Sequence, residues 1–197
     1  KKQLYGEAYL VRFADDFLIM FQYERDAQRV YEAIIRRMEL FGLELSKEKT
    51  RILPFGRYSG SRETFDFLGF THFNSKTRKG YYSVGHKISR KKKKQFKSNL
   101  KKWVKENRDK QFDEFMKKLN KKLTGSFNYY SLSGMIREVR SLWIHSLYVT
   151  FKWMNRRSQR RSFKLERFYE IWNVRIIHPY IHVDIWSGDK VIYNKNV

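Results

Sequence analysis

Two adjacent aspartates, Asp15 and Asp16, lie between two apolar segments, and this context constrains the fold more than any other feature of the chain. The flanking segments, residues 9–13 and 17–21, are rich in aromatic and aliphatic side chains and predict two strands. Because only residues 14–16 separate them, the pattern predicts a tight β-hairpin. We expect both carboxylates to be exposed at its tip, on one side, held rigidly by the two strands.

The aspartate pair has two interpretations. Adjacent carboxylates repel each other unless a cation lies between them. Hard cations such as Mg²⁺ bind in proteins through one or two carboxylates together with substrate phosphates, so the pair predicts a magnesium site for phosphorylated substrates. Aspartate is also a common turn residue, and a purely structural role in the hairpin is the alternative.

The charge distribution indicates a polyanionic partner. The 197 residues carry a formal net charge of +23, of which +18 lies in residues 89–197 and +5 in residues 1–88. Nucleic acid is the simplest such partner, and its binding surface is expected mainly in the second half.

The chain has no cysteine, which excludes disulfides and cysteine-ligated metals. The apolar runs are far shorter than a membrane span, so we expect a cytoplasmic protein with no membrane partner.

Hydrophobic periodicity predicts a mixed first part. An amphipathic helix is expected from Arg25 to Phe41, with Gly42 as its C-cap. Short strands are expected at residues 43–45, 50–55 and 65–70. Residues 1–88 are therefore predicted to form an antiparallel sheet with a helix, as the first part of an α+β fold.

The second part of the sequence is predicted to be helical. Ser89 is expected to cap a helix that runs to about Asn107. A second helix at residues 112–123, a loop at 124–130 and a third helix at about 134–157 follow. Residues 89–170 are therefore predicted to form an all-α bundle, and residues 171–197 a C-terminal tail.

Three motifs, in chain order, resemble those of a known family. They are Phe13-Ala14-Asp15-Asp16, then Gly-Leu-Glu-Leu-Ser-Lys-Glu-Lys-Thr at residues 42–50, then Phe67-Leu68-Gly69-Phe70. They are similar to the C-terminal half of a bacterial group II intron reverse transcriptase, also called a maturase, in which tyrosine usually stands at the position of Phe13. Residues 125–130 resemble the family's maturase-specific thumb segment. The resemblance covers nearly the whole chain and implies a partial polymerase palm followed by a helical thumb.

The resemblance implies roles for particular residues. Asp15 and Asp16 would be the catalytic metal ligands, and Lys49 the lysine that protonates pyrophosphate; a solvated surface charge is the alternative for Lys49. The primer grip would comprise Phe67, Leu68, Gly69 and Phe70, for which packing in the sheet core is the alternative. The cofactor would be Mg²⁺ in a two-metal site, with one protein ligand outside this chain.

The partners that the resemblance implies are the RNA template-primer, a DNA primer, dNTP and group II intron RNA. A further partner would be the missing N-terminal fingers and palm portion, because only 14 residues precede Asp15 and Glu7 is their only acid. The chain is therefore expected to be inactive as a polymerase by itself.

Basic residues of the second part are the expected RNA contacts, with a merely solvated surface as the alternative. They are Arg90, Lys91, Lys93, Lys94, Lys97, Lys101, Arg156, Arg157, Arg160 and Arg161. Phe127, Tyr129 and Tyr130 are expected either to stack on bases or to pack in the core. His178, His182 and Asp184 loosely resemble a metal-ligand set, although Pro179 prevents them from sharing a helix face.

Three classes of function remain open from the sequence. The first is a reverse transcriptase half that works with its missing fingers. The second is a non-catalytic RNA-binding splicing cofactor in which the aspartate pair is idle. The third is a relic or defence-type reverse transcriptase without a mobile intron.

Overall fold

The computed structural model describes residues 4–46, 48–157, 162–181 and 183–184, and its fold is α+β, as predicted. Two small antiparallel sheets and five helices occur in this described part. The elements are β1 Ala8–Phe13, β2 Asp16–Phe21, α1 Glu24–Leu40, β3 Thr64–Phe67, β4 Phe70–Lys76, β5 Tyr82–Ile88, α2 Arg90–Asn107, α3 Phe112–Tyr130, α4 Ile136–Met154 and α5 Leu165–Arg175.

Two compact units divide the chain. The first comprises residues up to 68 together with residues 72–85, and the second comprises residues 69–71 together with the chain from residue 86 onward. The predicted divisions at residues 88 and 170 stay a prediction; α5 begins before residue 170 and ends after it. In the described residues, no helix is both long and apolar enough to cross a membrane.

The first unit contains the predicted hairpin and the predicted helix. β1 and β2 pair antiparallel, and α1 follows β2 after a two-residue bend. Helix α1 ends in a Schellman motif, because Gly42 has a φ of 65° and the backbone N–H of Leu43 donates to the carbonyl of Met38 (2.9 Å). Buried Asp26 accepts hydrogen bonds from the backbone N–H groups of Tyr5 (2.9 Å) and Gly6 (3.0 Å), so α1 holds the segment that enters β1.

Three strand predictions are wrong. Residues 43–45 and 50–55 are irregular, and residues 65–70 are not one strand. β3 ends at Phe67 and β4 begins at Phe70, with a two-residue turn between them. Leu68 and Gly69 both have positive φ (49° and 82°), which is the property of the type I′ turns that join paired strands. The alternation of aromatic residues across this segment does not distinguish a strand from a tight hairpin.

The second unit is a helical bundle whose core is almost entirely apolar. Its first helix, α2, begins as predicted: the Ser89 side chain accepts a hydrogen bond from the backbone N–H of Lys92 (3.4 Å). Helix α4 packs against α2, α3 and α5 and is therefore central. The largest fully buried side chains of the unit include Trp172, Phe115, Phe127, Phe168, Leu100, Met116 and Leu119.

The loop predicted at residues 124–130 is also wrong, because these residues form the last two turns of α3. Phe127 and Tyr130 continue the buried face of α3 beyond Leu119 and Leu123, at four- and three-residue steps. The hydroxyl of Thr124 donates to the carbonyl of Asn120, one turn earlier in the helix (2.8 Å). This hydroxyl is therefore hydrogen-bonded within the helix and does not draw the backbone into a loop. Burial of the aromatic rings outweighs the cost of the exposed Gly125 inside the helix, which is about 1 kcal/mol relative to alanine.

Candidate functional site

Asp15 and Asp16 lie at the tip of the β1–β2 hairpin, as predicted, and both are exposed. Phe13 pairs with Asp16 across the hairpin, which leaves Ala14 and Asp15 as the two turn residues. Ala14 has a φ of 54°, a conformation that costs a non-glycine residue about 1–2 kcal/mol. Its carbonyl accepts a 2.8 Å hydrogen bond from Arg12 Nε. Backbone strain of this kind is concentrated at functional sites, where it fixes the direction of side chains.

The hairpin tip carries two carboxylates of the kind that hard cations prefer. Two exposed carboxylates on adjacent residues are hard oxygen donors, and this donor type fits Mg²⁺. Within the described residues, no group of three or more histidine, cysteine or acidic side chains is close enough to hold a metal ion. By their donor type Asp15 and Asp16 fit Mg²⁺, and their role as metal ligands stays a prediction.

Lys49 is exposed in a turn of the first unit, where its backbone N–H donates to the carbonyl of Ser46 (3.0 Å). It forms no ion pair with either aspartate in the part of the chain that the structure describes. The role of Lys49 as a proton donor therefore stays a prediction.

The segment predicted as a primer grip is a hairpin turn with one buried end. Phe70 is buried against two tyrosine rings, with centroid distances of 5.6 Å to Tyr129 and 5.5 Å to Tyr130. The carbonyl of Gly69 accepts a hydrogen bond from the backbone N–H of Ser89 (2.9 Å), which ties the turn to the start of α2. Packing therefore accounts for Phe70, while a primer contact by the turn stays a prediction.

The basic residues at the start of α2 divide into two groups. Arg90, Lys91, Lys94 and Lys101 are exposed. Lys91, Lys94 and Lys101 lie on one side of the helix and form no ion pair within the described residues; we call these three the α2 lysine face.

The other two predicted lysines of α2 are half-buried and lie near α4. Lys93 Nζ lies 3.0 Å from Glu138 Oε2, and both side chains are half-buried. Lys97 is half-buried near His145, whose pKa is lowered by burial and further by the Lys97 charge. Lys93 therefore joins two helices of the bundle and is less available to RNA than its position in the lysine run suggested.

A second basic cluster surrounds the indole ring of Trp153. Lys105 Nζ lies 5.8 Å from the ring centroid, and the guanidinium carbons of Arg108 and Arg156 lie 5.4 and 5.5 Å from it. Arg157 joins the same region by donating a hydrogen bond to the carbonyl of Arg108 (3.5 Å). The sequence analysis missed Arg108, although its spacing of three residues from Lys105 places the two on one helix face. Arg160 and Arg161 lie outside the described residues.

Most of the remaining candidate residues are buried or packed against another ring. Phe127 and Tyr130 are buried, and Tyr129 has the only largely exposed ring of the three predicted stacking residues. The ring of His178 packs against Trp143 (5.0 Å between centroids). His182 lies outside the described residues, so the loose metal-ligand set cannot be assembled from the others.

The structure has an exposed aspartate pair on a β-hairpin, followed along the chain by a basic helical domain, and two family models match the chain in the same order. The model for reverse transcriptase (RNA-dependent DNA polymerase) matches residues 1–72. The model for the group II intron maturase-specific domain matches residues 93–170. The chain belongs to the group II intron reverse transcriptase family, whose members are also called maturases. No curated protein matches the chain significantly.

Membership of this family implies a general cofactor and a general class of partner. Reverse transcriptases generally use Mg²⁺, and a maturase-specific domain implies binding to intron RNA and other nucleic-acid substrates.

Proposed function

We propose that this chain supplies the metal-binding part of a reverse transcriptase palm and an RNA-binding thumb that also acts in splicing of a group II intron. The observation that carries the proposal is the exposed pair Asp15–Asp16 on a strained hairpin, within a region that matches reverse transcriptases and precedes a maturase-specific domain. The substrates would be an RNA template, a DNA primer and dNTP.

In this proposal the hairpin positions the two carboxylates. Asp15 and Asp16 would hold Mg²⁺, which when bound would supply Lewis-acid stabilisation for phosphoryl transfer. Both carboxylates are held by paired strands, which are a more rigid support than a long loop. A third carboxylate would come from a palm portion outside this chain, and Lys49 would donate the proton to pyrophosphate. The turn Phe67–Phe70 would lie along the primer.

The thumb would bind RNA mainly through phosphates. The α2 lysine face presents three cations that no carboxylate neutralises in the described part of the chain. A-form RNA is recognised largely through its shape and backbone, which a fixed row of cations on a helix can follow. The cluster around Trp153 offers three more cations at the C-terminal ends of α2 and α4.

Neutralising the α2 lysine face should weaken RNA binding and reduce its dependence on salt. In the triple variant Lys91→Gln, Lys94→Gln, Lys101→Gln, each lost phosphate contact should remove about one unit from the slope of log K against log salt. The loss should be similar for intron RNA and for an unrelated duplex. Titrations of both RNAs at several salt concentrations, with the wild-type chain and the variant, measure it.

The matched control removes the same charge elsewhere in the helical unit. Lys117, Lys121 and Lys152 are exposed on α3 and α4, and their joint change to glutamine should leave the slope close to that of the wild type. An equal loss of slope in both variants would show that net charge alone drives binding and would contradict a role for the α2 lysine face. Circular dichroism should show both variants folded, since glutamine is a good helix former.

A further inference from the structure

Residues 56–62 of the first unit, which we call the Arg57–Tyr58 loop, are braced by Asn74 of β4. Asn74 Oδ1 accepts a hydrogen bond from the backbone N–H of Gly56 (3.2 Å), and its Nδ2 donates to the carbonyl of Ser61 (2.9 Å). One side chain that is anchored in a strand therefore joins both ends of the loop.

Further hydrogen bonds complete this brace. The hydroxyl of Tyr82 donates to Asn74 Oδ1 (2.9 Å). Inside the loop, Ser59 Oγ donates to the carbonyl of Gly56 (2.9 Å) and accepts from the backbone N–H of Ser61 (3.3 Å). A loop held in this way is ordered before any partner arrives, so binding costs it little conformational entropy.

The loop presents an aromatic ring beside a cation. Tyr58 is 90% exposed, the largest value for any large apolar side chain of the described residues, and the guanidinium carbon of Arg57 lies 5.5 Å from its ring centroid. Residues 51–62 contain three arginines and no acidic residue. The ring thus has a free face for a planar partner, in a locally positive environment.

We propose that the Arg57–Tyr58 loop binds one unpaired nucleotide of a single-stranded nucleic acid, with its base stacked on Tyr58 and an adjacent phosphate on Arg57. This inference rests on the proposed function, because it requires that the chain binds nucleic acid. Stacking on an aromatic side chain accepts any base and stabilises a single-stranded complex, and arginine adds attraction to the backbone. A base inside a duplex has both faces covered by its neighbours, so the loop selects unpaired segments.

Binding of two ligands by the full 197-residue chain tests the proposal. One is a labelled single-stranded 12-mer, as RNA and as DNA in separate arms, and the other is a labelled blunt-ended duplex that contains no unpaired nucleotide. Tyr58→Ala should weaken binding of the single strands about 5- to 100-fold, as loss of one base–aromatic stack does, and leave the duplex unchanged. Tyr58→Phe should bind the single strands as the wild type does, because it keeps the ring.

Two further variants sharpen the test. Arg57→Gln should lower the salt slope of single-strand binding by about 0.7, the contribution of one phosphate contact. Tyr148→Ala removes a tyrosine ring that is 54% exposed on α4 and should leave single-strand binding unchanged. Equal weakening of single-strand and duplex binding by Tyr58→Ala, or no weakening of either, overturns the proposal. Failure of the wild-type chain to bind any of the nucleic acids would instead overturn the proposed function, so the two failures are distinguishable.

Discussion

Changing Asp15 to alanine should reduce primer extension more than about 100-fold in a reverse transcriptase where this chain is joined to fingers and an upstream palm portion. That factor is the upper end of the cost of losing a group that only supports a metal ligand, and a direct ligand should cost more. Because Asp15 is exposed in a turn, its removal should neither unfold the chain nor change RNA binding. Single-turnover extension of a labelled primer, with RNA affinity and thermal unfolding measured on the same preparations, checks the prediction.

The matched control for Asp15 is Glu32→Ala, which removes an exposed carboxylate from α1 in the same unit. Its extension rate should equal that of the wild type. Extension that survives in the Asp15 variant would show that the palm interpretation of the hairpin is wrong. An intron-splicing assay separates the proposed roles further: splicing that persists in the Asp15 variant would assign that role to RNA binding by the thumb, independent of the aspartate pair.

Changing Phe127 to alanine should lower the free energy of unfolding by about 3–5 kcal/mol, the usual cost of deleting a buried aromatic ring. Phe127 is 2% exposed in the part of α3 that the sequence suggested was a loop, and its carbonyl accepts a 2.6 Å hydrogen bond from the buried hydroxyl of Ser131. The cavity would therefore form where α3 ends, in the middle of the helical unit. Urea unfolding followed by far-ultraviolet circular dichroism measures the change.

Asn128→Ala is the comparison for Phe127, because Asn128 is exposed on the same turn of α3. Exposed substitutions of this kind usually change stability by less than about 0.5 kcal/mol. A Phe127 variant as stable as the Asn128 variant would contradict the helical packing of residues 124–130. It would favour instead the interpretation of Phe127 as an exposed stacking residue for RNA.

Local sequence signals were sufficient to predict an element where the interactions that form it join residues close along the chain. The β1–β2 hairpin followed from two apolar segments around Ala14-Asp15-Asp16, and the start of α2 followed from Ser89 as its N-cap. The end of α1 followed from Gly42, the residue type that adopts positive φ most readily. The family resemblance carried by these motifs was confirmed by both family matches.

Tertiary packing determined the features that depend on contacts between residues far apart in the sequence. Residues 124–130 contain glycine, serine and asparagine, which favour loops locally, yet the burial of Phe127 and Tyr130 makes them helical. Lys93 looks like its neighbours in the lysine run, but Glu138 of α4 pairs with it.

The sequence by itself therefore determined the β1–β2 hairpin with its exposed aspartate pair, helix α1, the start of α2 and the basic character of the helical domain, because each depends on composition or on near neighbours. The structure alone decided that Lys93 pairs with Glu138, that Phe67–Phe70 is a turn, and that Asn74 braces a loop that exposes Tyr58. These features depend on contacts between distant residues, and the free energy of such contacts is set only when the chain packs.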